Sequence, residues 1–91
     1  MNEAKVFIVE DHALMLLGYE LLFKHAEGTQ LVGVADSVTA ALRLIPIHQP
    51  DLVIVDINLK EGSGLDLIKQ LHEHRPDLPV LVLSMYDESL Y

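Results

Sequence analysis

The segment 51-DLVIVDINLKEGSG-64 carries an apolar run, residues 52–55, straight into a carboxylate, Asp56, and then into a loop with glycines at 62 and 64. A short, β-branched run without polar alternation is the pattern of a strand buried on both faces, as in a parallel sheet. The end of such a strand holds a side chain still. Asp56 is therefore the first candidate for a reactive group.

Three further runs flank this one. Residues 5–10, KVFIVE, form a second strand of the same kind, and the acids Glu10 and Asp11 stand at its end. Residues 30–34, QLVGV, predict a short strand, and residues 79–84, PVLVLS, predict another. Between them the apolar period becomes helical. Leu14, Leu17, Gly18, Leu21 and Leu22 predict one face of a helix over 13–26, opened by Asp11 as N-cap and stopped at Gly28. Met15, Leu16, Tyr19 and Phe23 lie outside that face, so the helix is apolar on most sides. Ser37 is a good N-cap for a second helix through Val38, Ala41, Leu42 and Ile45. Pro46 has no N–H for the carbonyl of Leu42, which predicts a kink or an early end. Leu65, Ile68 and Leu71 or His72 pattern a third helix, with Pro76 beyond its end, and residues 85–91 read as a loop or a helix start.

The order βαβαβαβ predicts an α/β fold: a parallel sheet with right-handed crossovers and helices on both faces. At 91 residues one domain is expected, and no repeat or linker divides it. The segment contains no apolar run near the ~18 residues that span a bilayer, and it opens on no signal-peptide pattern. With no cysteine and a formal net charge of -8, the expectation is a cytoplasmic protein without disulfides. Direct nucleic-acid binding is disfavoured, because phosphate contacts need a basic surface. The acidity suits a divalent cation or a basic partner.

Sites in open parallel sheets gather at the carboxyl ends of the strands, near the reversal of strand order. Those ends carry Glu10 and Asp11, Asp56, and Ser84. If the first and third strands are neighbours, three carboxylates crowd one edge, and a cation is needed to relieve their repulsion. Hard oxygen ligands suit Mg²⁺. A cation beside a fixed aspartate permits phosphoryl transfer onto it. Asp56 is then the nucleophile, Asp11 with Glu10 holds the metal, and the Ser84 hydroxyl bonds the phosphoryl oxygens. Singly, Asp11 reads as a helix cap, Asp56 as a loop cap and Ser84 as ordinary; together, three independent strand ends carry one chemistry.

These residues resemble the receiver domain of two-component response regulators, through VEDH (9–12), PDLVIVDINL (50–59), Gly64-Leu65 and RPDLPVLVLSMYDE (75–88). VEDH and LSMYDE are most similar to the NarL/FixJ subfamily, whose members usually carry a helix-turn-helix output domain. The resemblance implies a flavodoxin-like doubly wound sheet of order 2-1-3-4-5, here about four strands, 2-1-3-4, with three helices. It implies Asp56 as phosphoacceptor, Glu10 and Asp11 as the acidic pair, and a backbone carbonyl of Asn58 on Mg²⁺. It implies Ser84 as the switch hydroxyl, with Met85 beside it. A histidine kinase is the implied partner and a transcriptional output the implied target. Lys60 stands where the family commonly has proline, and Gly62 and Gly64 are expected to turn the loop regardless.

The family's fourth helix, fifth strand and fifth helix are not in the sequence, which reads as a partial receiver domain over 1–91. A fragment of this kind is expected to bind Mg²⁺ weakly, to phosphorylate poorly or not at all, and to self-associate as a homodimer or larger, through the fourth strand or the first helix. His12 reads as a neighbour of the acid pair rather than a ligand, His72 and His74 as solvated, and His25 and His48 as cations at helix ends. Two rivals stand beside this reading. One is a receiver-like interaction module without phosphorylation; the other is a small metal-dependent phosphatase using Asp56.

Overall fold

The computed structural model describes residues 3–59 and 62–83, so the expectations placed on Lys60, Ser84, Met85 and 85–91 lie outside the described residues. Seven elements alternate along the chain: β1 (Ala4–Val9), α1 (Ala13–His25), β2 (Thr29–Ala35), α2 (Val38–His48), β3 (Leu52–Asp56), α3 (Gly64–His74) and β4 (Val80–Leu83). The four strands form one sheet of order β2-β1-β3-β4, and every adjacent pair is parallel. This is the doubly wound architecture expected from the sequence.

Strand parity divides the core in two, because successive side chains point to opposite faces. Phe7, Val9, Val53 and Val55 face α2 and α3, where Ala41, Ile45, Leu67 and Leu71 complete a continuous buried cluster. Val6, Ile8 and Ile54 face the other way, against the half-buried Leu16, Tyr19 and Phe23. Gly33 of β2 is needed on the first face: a Cβ there would stand 2.8 Å from the Phe7 ring.

The helix faces correct the periodicity reading. Leu14, Leu17, Leu21 and Leu22 of α1 are exposed, and Leu16, Tyr19 and Phe23 meet the sheet instead. A helix apolar on most sides carries two candidate stripes, and only the sheet decides between them. Its N-cap is His12, not Asp11, and no side chain caps it. In α3, Leu67 is 0% exposed and Leu65 is 60% exposed, so the buried face runs through Gly64, Leu67 and Leu71. His72 is exposed.

The caps explain where the other helices begin. Ser37 Oγ accepts from the Ala40 N–H at 3.1 Å, and Ser63 Oγ accepts from the Asp66 N–H at 3.3 Å. Pro46 does not end α2 early: the helix runs on to His48. The missing donor falls in the last turn, where few later bonds depend on it. Gln49, left-handed at φ 48°, closes the end with its N–H on the Ile45 carbonyl. Gly62, at φ 77°, turns the loop before α3.

Because Leu67 is fully enclosed and Leu65 is not, truncating them separates core from surface. Leu67→Ala is expected to lower unfolding free energy by about 3 kcal/mol and Leu65→Ala by less than about 0.5 kcal/mol. Urea denaturation of the two variants checks this.

Candidate functional site

β1 and β3 are neighbours whose register ends with Val9 opposite Val55. The next residues are Glu10 and Asp56, each 1% exposed. Parity sends both side chains to the α1 side, since Glu10 continues Val6 and Ile8, and Asp56 continues Ile54. Asp11 and His12 follow Glu10 on the way into α1. One ligand atom each from Glu10, Asp11, His12 and Asp56 lies within 4.8 Å of the others. The acids read from two separate stretches of sequence therefore meet, while Ser84, read from a third, lies outside the described residues.

The contacts fix each group. The Asn58 N–H donates to Asp56 Oδ1 at 3.0 Å. The other oxygen, Asp56 Oδ2, is buried and accepts no hydrogen bond, as is Glu10 Oε1. Glu10 Oε2 accepts from the His12 backbone N–H at 3.2 Å and from its Nδ1–H at 2.7 Å. The same Nδ1 lies 3.1 Å from Asp11 Oδ1 and 3.6 Å from Asp56 Oδ2. Gly64 makes the strand end possible: a Cβ there would stand 2.8 Å from the Asp56 carbonyl oxygen and from Ile57 Cα.

Orphaned carboxylate oxygens among like charges fit a hard divalent cation, because each lacks the partner that burial demands. Glu10, Asp11 and Asp56 are the oxygen donors available for one. His12 stands where the sequence reading put it, beside the acid pair, and Tyr19 is the residue near the site that sequence reasoning missed. Tyr19 belongs to the α1 face that periodicity did not select. A cavity of about 370 Å³, lined by Leu42, Ile45, Pro46, Leu71, His74 and Arg75, lies between the carboxyl ends of α2 and α3, away from the acids.

The electrostatics follow from burial. Desolvation raises the Glu10 carboxyl above its usual 4.5, against the hydrogen bonds from His12, and nearby Asp56 adds to the rise. The hydrogen bond to Glu10 raises His12 above its usual 6.5, and the surrounding acids add to it. Burial raises the Tyr19 hydroxyl, with the charges of Glu10 and Asp56 behind it. Folding thus favours the protonated forms of Glu10 and His12. Glu10's contribution is complete below pH 4.5 and is lost as pH rises through its raised value. His12's is complete below pH 6.5 and is lost in the same sense, at higher pH. The urea midpoint of the metal-free chain is expected to fall as pH rises above 4.5, through the raised values of Glu10 and then His12. Glu10→Gln flattens the acidic part of that fall and His12→Gln the neutral part.

Comparison with known proteins places this geometry. The response regulator receiver domain model matches residues 6–91. The transcriptional regulatory protein YdfI of Bacillus subtilis (strain 168) is 36% identical over 84 residues, covering 92% of this chain and 39% of its own length. The DNA-binding transcriptional activator DevR/DosR of Mycobacterium tuberculosis (strain ATCC 25618 / H37Rv) is 35% identical over 88 residues, covering 94% and 41%. The crystal structure of the non-phosphorylated receiver domain of the stress response regulator RcsB from Escherichia coli is similar at TM-score 0.87 and 28% identity, covering 98% of this chain and 70% of that one. The chain spans about two fifths of the length of these curated relatives. Among the described residues, no helix is long and apolar enough to cross a membrane. By sheet order, acid cluster and sequence, the chain belongs to the response regulator receiver domain family, and its relatives are transcriptional regulators of the NarL/FixJ type.

Proposed function

We propose that this chain is a phosphoacceptor: it takes a phosphoryl group from the phosphohistidine of a histidine kinase onto Asp56, with Mg²⁺, to control a transcriptional output. The observation that carries the proposal is Asp56 itself, 1% exposed yet holding one oxygen that accepts no hydrogen bond. A buried polar atom without a partner costs stability, and a reactive role explains its retention.

Glu10, Asp11 and Asp56, with a backbone carbonyl of Asn58, are the residues that would hold Mg²⁺. When bound, the cation supplies charge neutralisation as the phosphoryl group meets the carboxylate. The chain does the rest by positioning. The Asn58 N–H holds Asp56 Oδ1, which leaves Oδ2 as the attacking oxygen. A P–O bond forms at Oδ2 as the donor's P–N bond breaks, and the electron pair returns to the histidine nitrogen. Ser84 is assigned the hydroxyl that bonds the new phosphoryl oxygens, and Met85 a backbone amide beside them. The activity is that of a signalling domain, which promotes its own phosphorylation and dephosphorylation.

A second feature supports self-association. Leu14, Leu17, Leu21 and Leu22 of α1 and Leu81 and Val82 of β4 are exposed. Apolar residues gathered on one helix mark an interaction surface, and β4 is an outer strand of the described sheet. We assign the pairing of two copies to the outer face of α1 or to β4.

Intact-mass measurement after incubation with Mg²⁺ and acetyl phosphate tests the first reading. A phosphoryl adduct at low yield is expected on the wild type, in keeping with an impaired fragment, and none on Asp56→Asn. No adduct on a chain folded by circular dichroism would favour an interaction module instead. Sedimentation across a concentration series tests the second: mass is expected to rise with concentration, and Leu17→Glu with Leu21→Glu is expected to reduce it if α1 is the contact.

A further inference from the structure

We propose that the cavity between the carboxyl ends of α2 and α3 binds a small aromatic carboxylate with a ring N–H, of about the size of indole-3-acetate. The site is separate from the acids and does not rest on the phosphoacceptor reading. Each crossover helix runs back along the sheet to start the next parallel strand. The carboxyl ends of α2 and α3 therefore lie at the opposite end of the sheet from Glu10 and Asp56.

The cavity measures about 370 Å³, within the ~300–1,000 Å³ of small-molecule sites. Both helices build its apolar wall: Leu42, Ile45 and Pro46 come from α2 and Leu71 from α3. Ile45 and Leu71 belong to the buried core, so the fold itself holds this wall in place. An apolar body suits it, because such a lining offers water few partners.

Polar groups in the lining define the rest of the ligand. Arg75 is half-buried, and the ion pairs among the described residues all involve His12, which leaves the Arg75 guanidinium unpaired. A partly desolvated guanidinium selects an anion, and its fork of N–H groups matches a carboxylate. Beside it, His74 Nδ1–H donates to the Gln70 carbonyl at 2.8 Å, so Nε2 is the ring atom available to a ligand. The α2 side supplies an acceptor. Residue 46 is proline, so the Leu42 carbonyl receives no helical N–H from it. Leu42 and Pro46 are four residues apart on one helix face, and both line the cavity. A ligand N–H supplies the donor that this carbonyl lacks. Carboxylate on Arg75, ring against Ile45 and Leu71, and N–H on the Leu42 carbonyl describe one chemical class.

The chain has no tryptophan, so indole fluorescence reports the ligand alone. Equilibrium dialysis of the 91-residue chain against indole-3-acetate, read by that fluorescence, tests the proposal. One saturable site per chain is expected. Arg75→Gln is expected to weaken it by about tenfold or more, as for loss of a charge-assisted hydrogen bond, and to leave the weaker binding of neutral indole-3-acetamide unmoved. Pro46→Ala gives Leu42 its helical donor. It is expected to weaken indole-3-acetate by about fivefold but not 1-naphthaleneacetate, which has no N–H. Leu42→Phe fills the cavity and is expected to abolish binding; Gln70→Phe stands in should that variant fail to fold by circular dichroism. Absence of saturable binding to the wild type would overturn the proposal. So would equal affinity in the wild type and Arg75→Gln, binding that survives filling, or a Pro46→Ala change that does not separate the two probes. Affinity that falls as chain concentration rises would give the cavity to a side chain of a second copy and overturn it too.

Discussion

The structure turns on holding like charges together where water cannot screen them. Glu10 and Asp56 are each 1% exposed, and with Asp11 they present ligand atoms within 4.8 Å of one another. At that separation two unit charges repel by about 3 kcal/mol even at an effective dielectric of about 20. Local donors, the His12 N–H and ring on Glu10 and the Asn58 N–H on Asp56, favour such an arrangement. It persists because the register of β1 and β3 is set elsewhere, by the enclosed side chains of Val6, Phe7, Ile8, Val53 and Val55. Slipping one strand by one residue would turn all of them to the wrong face. The acids sit one step beyond the last register pair and inherit a geometry that the apolar residues enforce.

The two faces of the sheet share this task unequally. On one side α2 and α3 seal a continuous core. On the other, α1 contributes only half-buried residues and none that is fully enclosed. Parity puts Glu10 and Asp56 on this thinner side, and burial beside their charges raises the Tyr19 hydroxyl of α1. The helix beside the acids is thus α1, the least firmly packed, whose outer face carries exposed leucines. Loosely packed elements are where small free-energy changes shift populations. This geometry links a buried charge to an exposed apolar surface within one helix.

The strands were legible because buried parallel strands are short apolar runs and because their polar ends fall on different residues from their cores, whereas their order came from the resemblance to the receiver family. Asp56 could be singled out for that reason, and so could Glu10 and Asp11. The helix faces were less legible. α1 has apolar residues on both Leu14 and Leu16 stripes, and periodicity cannot rank two stripes of similar strength; contact with Val6, Ile8 and Ile54 decides in favour of Leu16, Tyr19 and Phe23. In α3 Ile68 and Leu71 meet the core as read, and only Leu65 was misplaced, because the helix starts hard against β3 at Gly64 and buries Leu67 instead. Pro46 was over-weighted, since its missing N–H matters less in a last turn than mid-helix. His12 was legible as a neighbour of the acid pair; that its ring folds back onto Glu10 across two residues was not.

Asymmetry between the two oxygens of Asp56 is what makes the cluster more than a store of charge. Oδ1 is tied to the Asn58 N–H at 3.0 Å, so the carboxylate cannot rotate freely to share its burden. Oδ2 is left facing Glu10, Asp11 and His12 without a hydrogen bond. The tie depends on the turn after β3, and the turn depends on Gly64, where any side chain would strike the Asp56 carbonyl at 2.8 Å. Displacing α3 to admit one would move Asn58's neighbours and release the carboxylate. A glycine eight residues away in sequence thus sets the direction of a single oxygen. Preorganisation of this kind does its work before any ligand arrives, because the cost of orienting the group is met during folding rather than at the moment of reaction.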